Sequence, residues 1–212
     1  MLNIEDEKNV EPKLNPWTSV WLHPRKTVQY VSEYKPESFI IMIAVLAGLV
    51  HFLDQAMSND LGDIWSLGTI LLVSLIAGPL LGILGLYVAS GLYHMISRMF
   101  RGSGTFSQTK SAYAVSGIIL VLGGLIWIPD LIILGQGNFM SDYDFTLGHF
   151  AWLFISLLGN LTIGGWSLVA LIAAISEVHR FSIGKAILVV VLPIIILVVI
   201  IIIIIALTLP FF

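Results

Sequence analysis

Long apolar segments alternate with short polar connections along this chain, and the pattern predicts five membrane-spanning helices. Each segment has at least 19 residues, close to the ~20 that a helix needs to cross about 30 Å of hydrocarbon. Strands of a membrane barrel would instead alternate apolar and polar positions over about ten residues. The pattern therefore predicts an all-α polytopic membrane bundle. The predicted spans are residues 39–57, 64–99, 111–134, 150–175 and 186–209.

The second apolar segment is long enough for two spans, but its sequence favours one. Its 36 residues correspond to about 54 Å of helix, and residues 77–82 contain no polar side chain that would support a turn in lipid. We therefore predict one long helix with a kink at Gly78 and Pro79. Gly102, which follows the segment, is expected to end this helix.

The basic residues indicate the orientation of the chain. With five spans, all ten fall on one side of the membrane, and basic residues near short loops are retained in the cytoplasm during insertion. The sequence thus predicts a cytoplasmic amino terminus and an outside carboxyl terminus. The ten residues are Lys8, Lys13, Arg25, Lys26, Lys35, Arg98, Arg101, Lys110, Arg180 and Lys185.

Composition excludes several classes of protein. Apolar residues make up 58% of the chain and charged residues 11%, which is outside the range of ordinary soluble domains. The absence of cysteine excludes disulfides, thiol catalysis and thiolate metal sites. We find no catalytic motif or nucleotide-binding fingerprint. We therefore expect a protein that is not an enzyme, has no cofactor or metal, and does not bind nucleic acid.

The region before the first span divides into two parts. Residues 1–14 are acidic and polar, and we predict that they are disordered. In residues 15–36, Asn15 can cap a helix that begins at Pro16, and Pro24 can open a second one. Trp17 and Trp21 favour the headgroup layer. The two short helices are expected either to lie on the inner membrane surface or to pack against the cytoplasmic ends of the bundle.

Small residues indicate which spans pack closely. Ala44 and Gly48 in the first span, and Gly78 and Gly82 in the second, have the small-xxx-small spacing that allows two helix backbones to approach, and Gly85 extends this pattern. The fifth span consists almost wholly of Val, Ile and Leu. A helix of this composition gains little by packing internally, so we predict a peripheral, lipid-facing position for it.

Two sets of polar residues lie within the predicted spans. His51 and Asp54 lie one helical turn apart near the outer end of the first span, where they either relay protons or bind a cation, or simply reach the outer interface. Asn160 lies in the fourth span, where it either lines a polar pathway or hydrogen-bonds across helices. At the inner end of the same span, Glu177 and Arg180 have the spacing of a surface ion pair.

Five short motifs follow one another along the chain: Asn15-Pro16-Trp17, residues 21–27, residues 78–82, residues 101–106 and residues 176–182. Together they resemble the Yip family of five-span membrane proteins, which are named for their interaction with Ypt/Rab GTPases. The resemblance extends over residues 15–205 and implies the same fold and topology, with residues 37–212 as the membrane domain. The long amino-terminal region of eukaryotic members is not visible in this sequence, which is similar to the bacterial branch, and this similarity implies a bacterial cell membrane.

Two hypotheses of function follow. The first is a membrane organiser or adaptor that engages lipid or a protein partner through a cytoplasmic aromatic-basic face, and it also allows a homo-oligomer. The residues of that face are Trp17, Trp21, Pro24, Arg25, Arg101 and Glu177. The alternative is a small transporter or permease component. Its residues would be His51, Asp54, Gly78, Pro79 and Asn160.

Overall fold

The computed structural model describes residues 14–208 and folds them into eight α-helices joined by turns and short 3₁₀ segments. Residues 1–13 of the predicted disordered tail, and Leu209 at the end of the fifth predicted span, lie outside the described residues. The helices are α1 (Pro16–Ser19), α2 (Pro24–Tyr34), α3 (Glu37–Ser58), α4 (Leu67–Met99), α5 (Phe106–Gly123), α6 (Trp127–Ile133), α7 (Leu147–His179) and α8 (Ile183–Thr208).

The prediction of five spans in an all-α bundle is confirmed. Five helical segments of the described chain are long and apolar enough to cross a membrane. α3, α4, α7 and α8 each supply one. The remaining segment is Phe106–Ile133, in which a 3₁₀ turn, Gly124–Ile126, joins α5 to α6. The second span is one helix of 33 residues with Pro79 inside it, as predicted, while a kink at Gly78 and Pro79 stays a prediction.

Capping residues set the helix bounds that the apolar pattern placed less accurately. α4 begins at Leu67 rather than at residue 64, because the Ser66 side chain accepts a hydrogen bond from the Thr69 N–H. In the amino-terminal region, the Asn15 side chain accepts from the Trp17 N–H and caps α1, and Pro24 opens α2. Both of these starts were predicted correctly from the sequence.

The prediction that Gly102 ends the long helix is wrong by one residue. Arg101 takes the left-handed conformation with φ of 63°, and the Gly102 N–H donates to the Ser97 carbonyl at 2.8 Å. This is a Schellman motif with arginine at its left-handed position. α7 ends in the same way, with Arg180 at φ 54° and the Phe181 N–H bound to Ser176 O.

α3 and α4 pack backbone against backbone at their small residues, as the spacing predicted. A Cβ placed on Gly48 would lie 2.1 Å from the Gly78 carbonyl oxygen, and one on Gly82 would lie 2.1 Å from the Ala44 carbonyl oxygen. Gly78 is therefore a packing residue. Gly85 does not continue the contact, because a Cβ there would meet no heavy atom within 4 Å.

α5 lies at the centre of the bundle, and α8 lies at its edge. Ala112, Val115 and Ile118 of α5 are completely buried where that helix packs against α3, α4 and α7. α8 packs on α7 and α4 with its first turns, where Val189 is buried. Farther along, many of its aliphatic side chains, such as Val198, are exposed. The peripheral position predicted for the fifth span agrees with this packing.

Candidate functional site

The basic residues of the described chain lie at one end of the bundle. α3, α5 and α8 begin at this end, and α4 and α7 finish there, so that Glu37 contacts Lys110 and Ser103 contacts the His179 carbonyl. We call it the basic end. The orientation that the positive-inside rule gives to it stays a prediction. Its described basic residues are Arg25, Lys26, Lys35, Arg98, Arg101, Lys110, Arg180 and Lys185.

Helix α2 crosses the basic end and leaves a polar groove beside it. The Arg25 guanidinium donates to Ser176 Oγ at 3.3 Å, and Gln29 Nε2 donates to Glu177 Oε1 at 2.5 Å. These contacts tie α2 to the end of α7. The groove has a volume of about 190 Å³, and its lining is mostly polar. The lining residues are Val28, Gln29, Ser32, Glu33, Gln108, Glu177, Val178 and Arg180.

The predicted ion pair of Glu177 with Arg180 is wrong. Arg180 leaves the helix in the left-handed conformation, which removes the helical spacing on which the prediction rested. Glu177 accepts from Gln29 instead. Arg25 and Glu177, which the sequence assigned to one face, both lie at the end of α7, where Arg25 binds Ser176 and Glu177 lines the polar groove.

An ion pair between a buried lysine and a partly exposed glutamate, which the sequence analysis missed, stabilises the same end. Lys110 on α5 is 7% exposed and its ammonium contacts the Glu37 carboxylate on α3. The Tyr87 hydroxyl also donates to Glu37, at 3.3 Å, and the ammonium lies 5.0 Å from the centre of the Tyr87 ring. Opposite charges beside two adjacent spans on the same predicted side were the signal that could have indicated this pair.

Two histidines, His94 and His179, hydrogen-bond to Thr109 and join the α4–α5 corner to the end of α7. The Thr109 hydroxyl donates to the Thr105 carbonyl, and so it accepts from His179 Nε2 at 3.0 Å and from His94 Nδ1 at 3.3 Å. His179 is 1% exposed, and a Cβ on Gly102 would lie 2.6 Å from its Nδ1. Gly102 is therefore required for this close approach, while the neighbouring Arg101 remains exposed on the corner.

The aromatic residues assigned to the same face lie on the flank of the bundle. Trp17 packs edge-on against Phe39 at a centroid distance of 6.4 Å, and the Trp21 carbonyl accepts from the Trp166 indole at 3.1 Å. Both tryptophans are half-buried against the core, and Pro24 is also half-buried. Of the two expected positions for these helices, packing against the bundle is therefore present, along its side as well as its end.

A cavity of about 330 Å³ opens near the opposite end of the bundle, between α3, α5 and α7. It brings together Asp54 and Asn160, which the sequence had placed in different spans. Asp54 Oδ1 accepts from the Trp127 indole at 3.0 Å, and Trp127 also lines the cavity. His51 is not among the lining residues, and neither are Gly78 and Pro79 of α4.

Asp130 forms a second contact of a carboxylate with an indole, and the sequence analysis missed it. It is 4% exposed and accepts from Trp152 Nε1 at 2.6 Å and from Ser156 Oγ at 3.2 Å. These bonds join α6 to α7. Asp130 lies within a predicted span, and an ionisable residue at such a position normally has a buried partner, so its place in the sequence was the available signal.

One family model matches most of the chain. The Yip1 domain matches residues 18–205 of the chain. The chain belongs to the Yip1 domain family. No curated protein and no solved structure is detectably similar to it. The matched residues include α2, all five spans and two of the four residues of α1.

Proposed function

We propose that this Yip1-domain protein is a membrane adaptor whose basic end faces the cytoplasm and binds a protein partner. The observation that carries the proposal is the polar groove, to which α2 and α5 supply exposed polar side chains and the end of α7 supplies the half-buried Glu177, followed by the exposed Arg180. A fixed arrangement of both charge signs favours selection of one partner, because a wrong partner would place like charges together.

The contacts of α2 support a rigid docking surface. Thr27, Val28 and Val31 on its inner side are buried, while Arg25 and Gln29 are hydrogen-bonded to α7. Lys26 and Glu33 on its outer side are exposed. A partner would therefore meet an ordered helix and would not have to bear the entropy cost of folding it. The half-buried Trp17 and Trp21 act in this proposal as anchors of the amino-terminal helices.

Photo-crosslinking in cells tests the proposal. Benzoylphenylalanine in place of Tyr34, which lies on α2 and is 44% exposed, should crosslink a discrete partner. The matched position is Tyr143, in the connection at the opposite end of the bundle. The charge swap Lys26→Glu with Glu33→Lys leaves the net charge unchanged and should lower the yield about tenfold, because it reverses the charge pattern that the partner meets.

Two results would contradict the adaptor proposal. One is an equal yield of the same adduct from positions 34 and 143, which would indicate contact without a specific face. The other is a yield that the charge swap leaves unchanged while the variant remains folded and membrane-inserted.

A second candidate function, transport of a small cation, is favoured by the cavity between α3, α5 and α7. Asp54 and Asn160 both line it, and polar groups within a membrane normally face water, protein or a transported ion. The test is cation flux into proteoliposomes, with Asp54→Asn compared with Asp142→Asn, which makes the same change at an exposed residue outside the cavity. A flux that Asp54→Asn lowers selectively would support transport, and a flux equal to that of empty vesicles would exclude it.

A further inference from the structure

One polar side chain of the fourth span has no partner in the described part of the chain. Asn160 on α7 is exposed, and its amide makes no hydrogen bond with any residue from 14 to 208. The other polar side chains between positions 150 and 175 are all hydrogen-bonded, so Asn160 differs from every one of them. They are Trp152, Ser156, Thr162, Trp166 and Ser167.

Asn160 lies near the middle of its span. It is thirteen residues from Leu147 at one end of α7 and nineteen from His179 at the other, which correspond to about 20 Å and 28 Å of helix. An amide has two N–H donors and a carbonyl acceptor, and leaving these groups unpaired in an apolar medium is unfavourable. In membranes such side chains hydrogen-bond across helices, so we expect a further helix beside Asn160.

The surface around Asn160 has the form of a helix-packing face. Leu161 and Leu168 are 64% and 42% exposed, and a Cβ on Gly164 or Gly165 would meet no heavy atom within 4 Å. Together with Asn160, these residues have the spacing i, i+1, i+4, i+5 and i+8, which places them on one side of α7. The two glycines leave room for the backbone of another helix to come close beside the amide.

The helix that fits this face is α7 of a second copy of the chain. Two copies inserted in the same orientation and related by a twofold axis along the membrane normal place each residue at the same depth as its counterpart. Asn160 then faces Asn160 of the second copy. Because an amide is both donor and acceptor, each can donate to the other. A helix of a different protein would need a polar group at this one depth.

We infer that two copies of the chain form a homodimer through α7, with the two Asn160 amides hydrogen-bonded to each other and Gly164 at the closest approach of the helices. The second copy lies beside the cavity that Asn160 and Gly164 also line. This interface goes beyond the adaptor proposal and does not depend on it, because Glu177 of the polar groove lies about 25 Å farther along α7.

Disulfide crosslinking in membranes tests the interface. The chain contains no cysteine, so a single introduced cysteine is its only thiol. Gly164→Cys should form an intermolecular disulfide on oxidation, because the two Cα atoms at the closest approach should lie within the roughly 4–7 Å that a disulfide spans. The matched variant is Gly85→Cys on α4, where a Cβ also has open space. We expect its dimer yield to be at least about fivefold lower, because its two copies are too far apart.

Substitutions of Asn160 test the hydrogen bond itself. Asn160→Leu should raise the dissociation constant of the dimer about tenfold, the effect of losing two interhelical hydrogen bonds. The measurement is energy transfer in proteoliposomes between copies fused to donor and acceptor fluorescent proteins. Asn160→Gln keeps the amide and should retain most of the dimer. Thr162→Val is the matched control and should leave the dissociation constant unchanged, because the Thr162 hydroxyl donates to the Leu158 carbonyl of its own helix.

Four results would overturn the homodimer. The first is a wild type without energy transfer above the level of random proximity. The second is an equal dimer yield from Gly164→Cys and Gly85→Cys, and the third is an Asn160→Leu variant that dimerises as the wild type does. The fourth is a disulfide from position 164 to a different protein in place of the homodimer, which would assign this face to that protein.

Discussion

The central span and the last span of the bundle show that hydrophobicity does not decide burial in this protein. The segment Phe106–Ile133 has a mean hydropathy of 2.1, and 39% of its most apolar stretch is buried. In Ile183–Ile202 the mean hydropathy is higher, 3.3, but only 18% of the corresponding stretch is buried. In a soluble protein the order would be reversed. In a bilayer, lipid is as apolar as leucine, so an aliphatic helix gains little by moving into the bundle.

Small and polar side chains account for the difference. α5 buries Ser111, Ala112, Ser116 and Gly117, which let neighbouring helices come close and hydrogen-bond. For example, Ser167 on α7 donates to the Ser116 carbonyl at 3.0 Å. α8 offers mainly branched aliphatic side chains, and a Cβ on its Gly184 would meet no atom within 4 Å. The comparison therefore predicts that stability depends on small residues and polar pairs much more than on apolar bulk.

The largest loss of stability is expected for Gly48→Val. The added Cβ would lie 2.1 Å from the Gly78 carbonyl oxygen and 2.7 Å from the Gly82 Cα, and these backbone atoms cannot rotate away. α3 and α4 must separate, so we expect a loss of about 3 kcal/mol or more in the free energy of unfolding. The measurement is unfolding by sodium dodecyl sulfate in mixed micelles, followed by tryptophan fluorescence.

Gly85→Val is the matched control for this substitution. It introduces the same side chain into α4 at a position where a Cβ has open space, and we expect a change within about 0.5 kcal/mol. If both variants lost the same stability, the cause would be the helix backbone or insertion, and the close contact between α3 and α4 would not be the stabilising feature.

The close contact of α3 with α4 and the five spans were predictable because each depends on a local sequence pattern. The spacing of Gly48, Gly78 and Gly82 and the length of the apolar segments are periodic properties, and in a membrane they determine the fold almost directly. The left-handed conformations of Arg101 and Arg180 were less predictable. Glycine is preferred at a left-handed position, but Gly102 is also required against His179, so the left-handed residue of that corner is Arg101.

The candidate sites were predictable as residues but not as groups. Asp54 and Asn160 are 106 positions apart in the sequence, and only the packing of both α3 and α7 against α5 places them on one cavity. The contact of the amino-terminal region with the flank of the bundle likewise includes the bond between the Trp166 indole and the Trp21 carbonyl. No local pattern indicates such a bond, since a carbonyl oxygen occurs at every residue.

A smaller loss of stability is expected at the first turns of α5 and α8, where Lys110 is buried and Lys185 is exposed. Glu37→Gln leaves the buried ammonium without its carboxylate. Because Glu37 itself is partly exposed, we expect a loss of about 2 kcal/mol, below the range for fully buried pairs. Lys110→Met removes the buried charge itself and should cost less, about 1 kcal/mol, in the same unfolding measurement.

Lys185→Met and the double variant Glu37→Gln with Lys110→Met complete this test. The first should be neutral within about 0.5 kcal/mol, and the double variant should be more stable than Glu37→Gln alone, because no charge is left buried. A double variant whose losses simply add would show that the two side chains act independently, in conflict with their contact.

The smallest expected effect compares two valines of α8. Val189 is completely buried, and Val198 is 48% exposed. Val189→Ala leaves a space against the bundle and should cost about 1 kcal/mol. Val198→Ala should be neutral within about 0.5 kcal/mol, because lipid or detergent fills the space in both the folded and the unfolded state. A cost at Val198 equal to that at Val189 would mean that the outer half of α8 is covered by protein. In that case its low burial would describe one chain and not the assembly in the membrane.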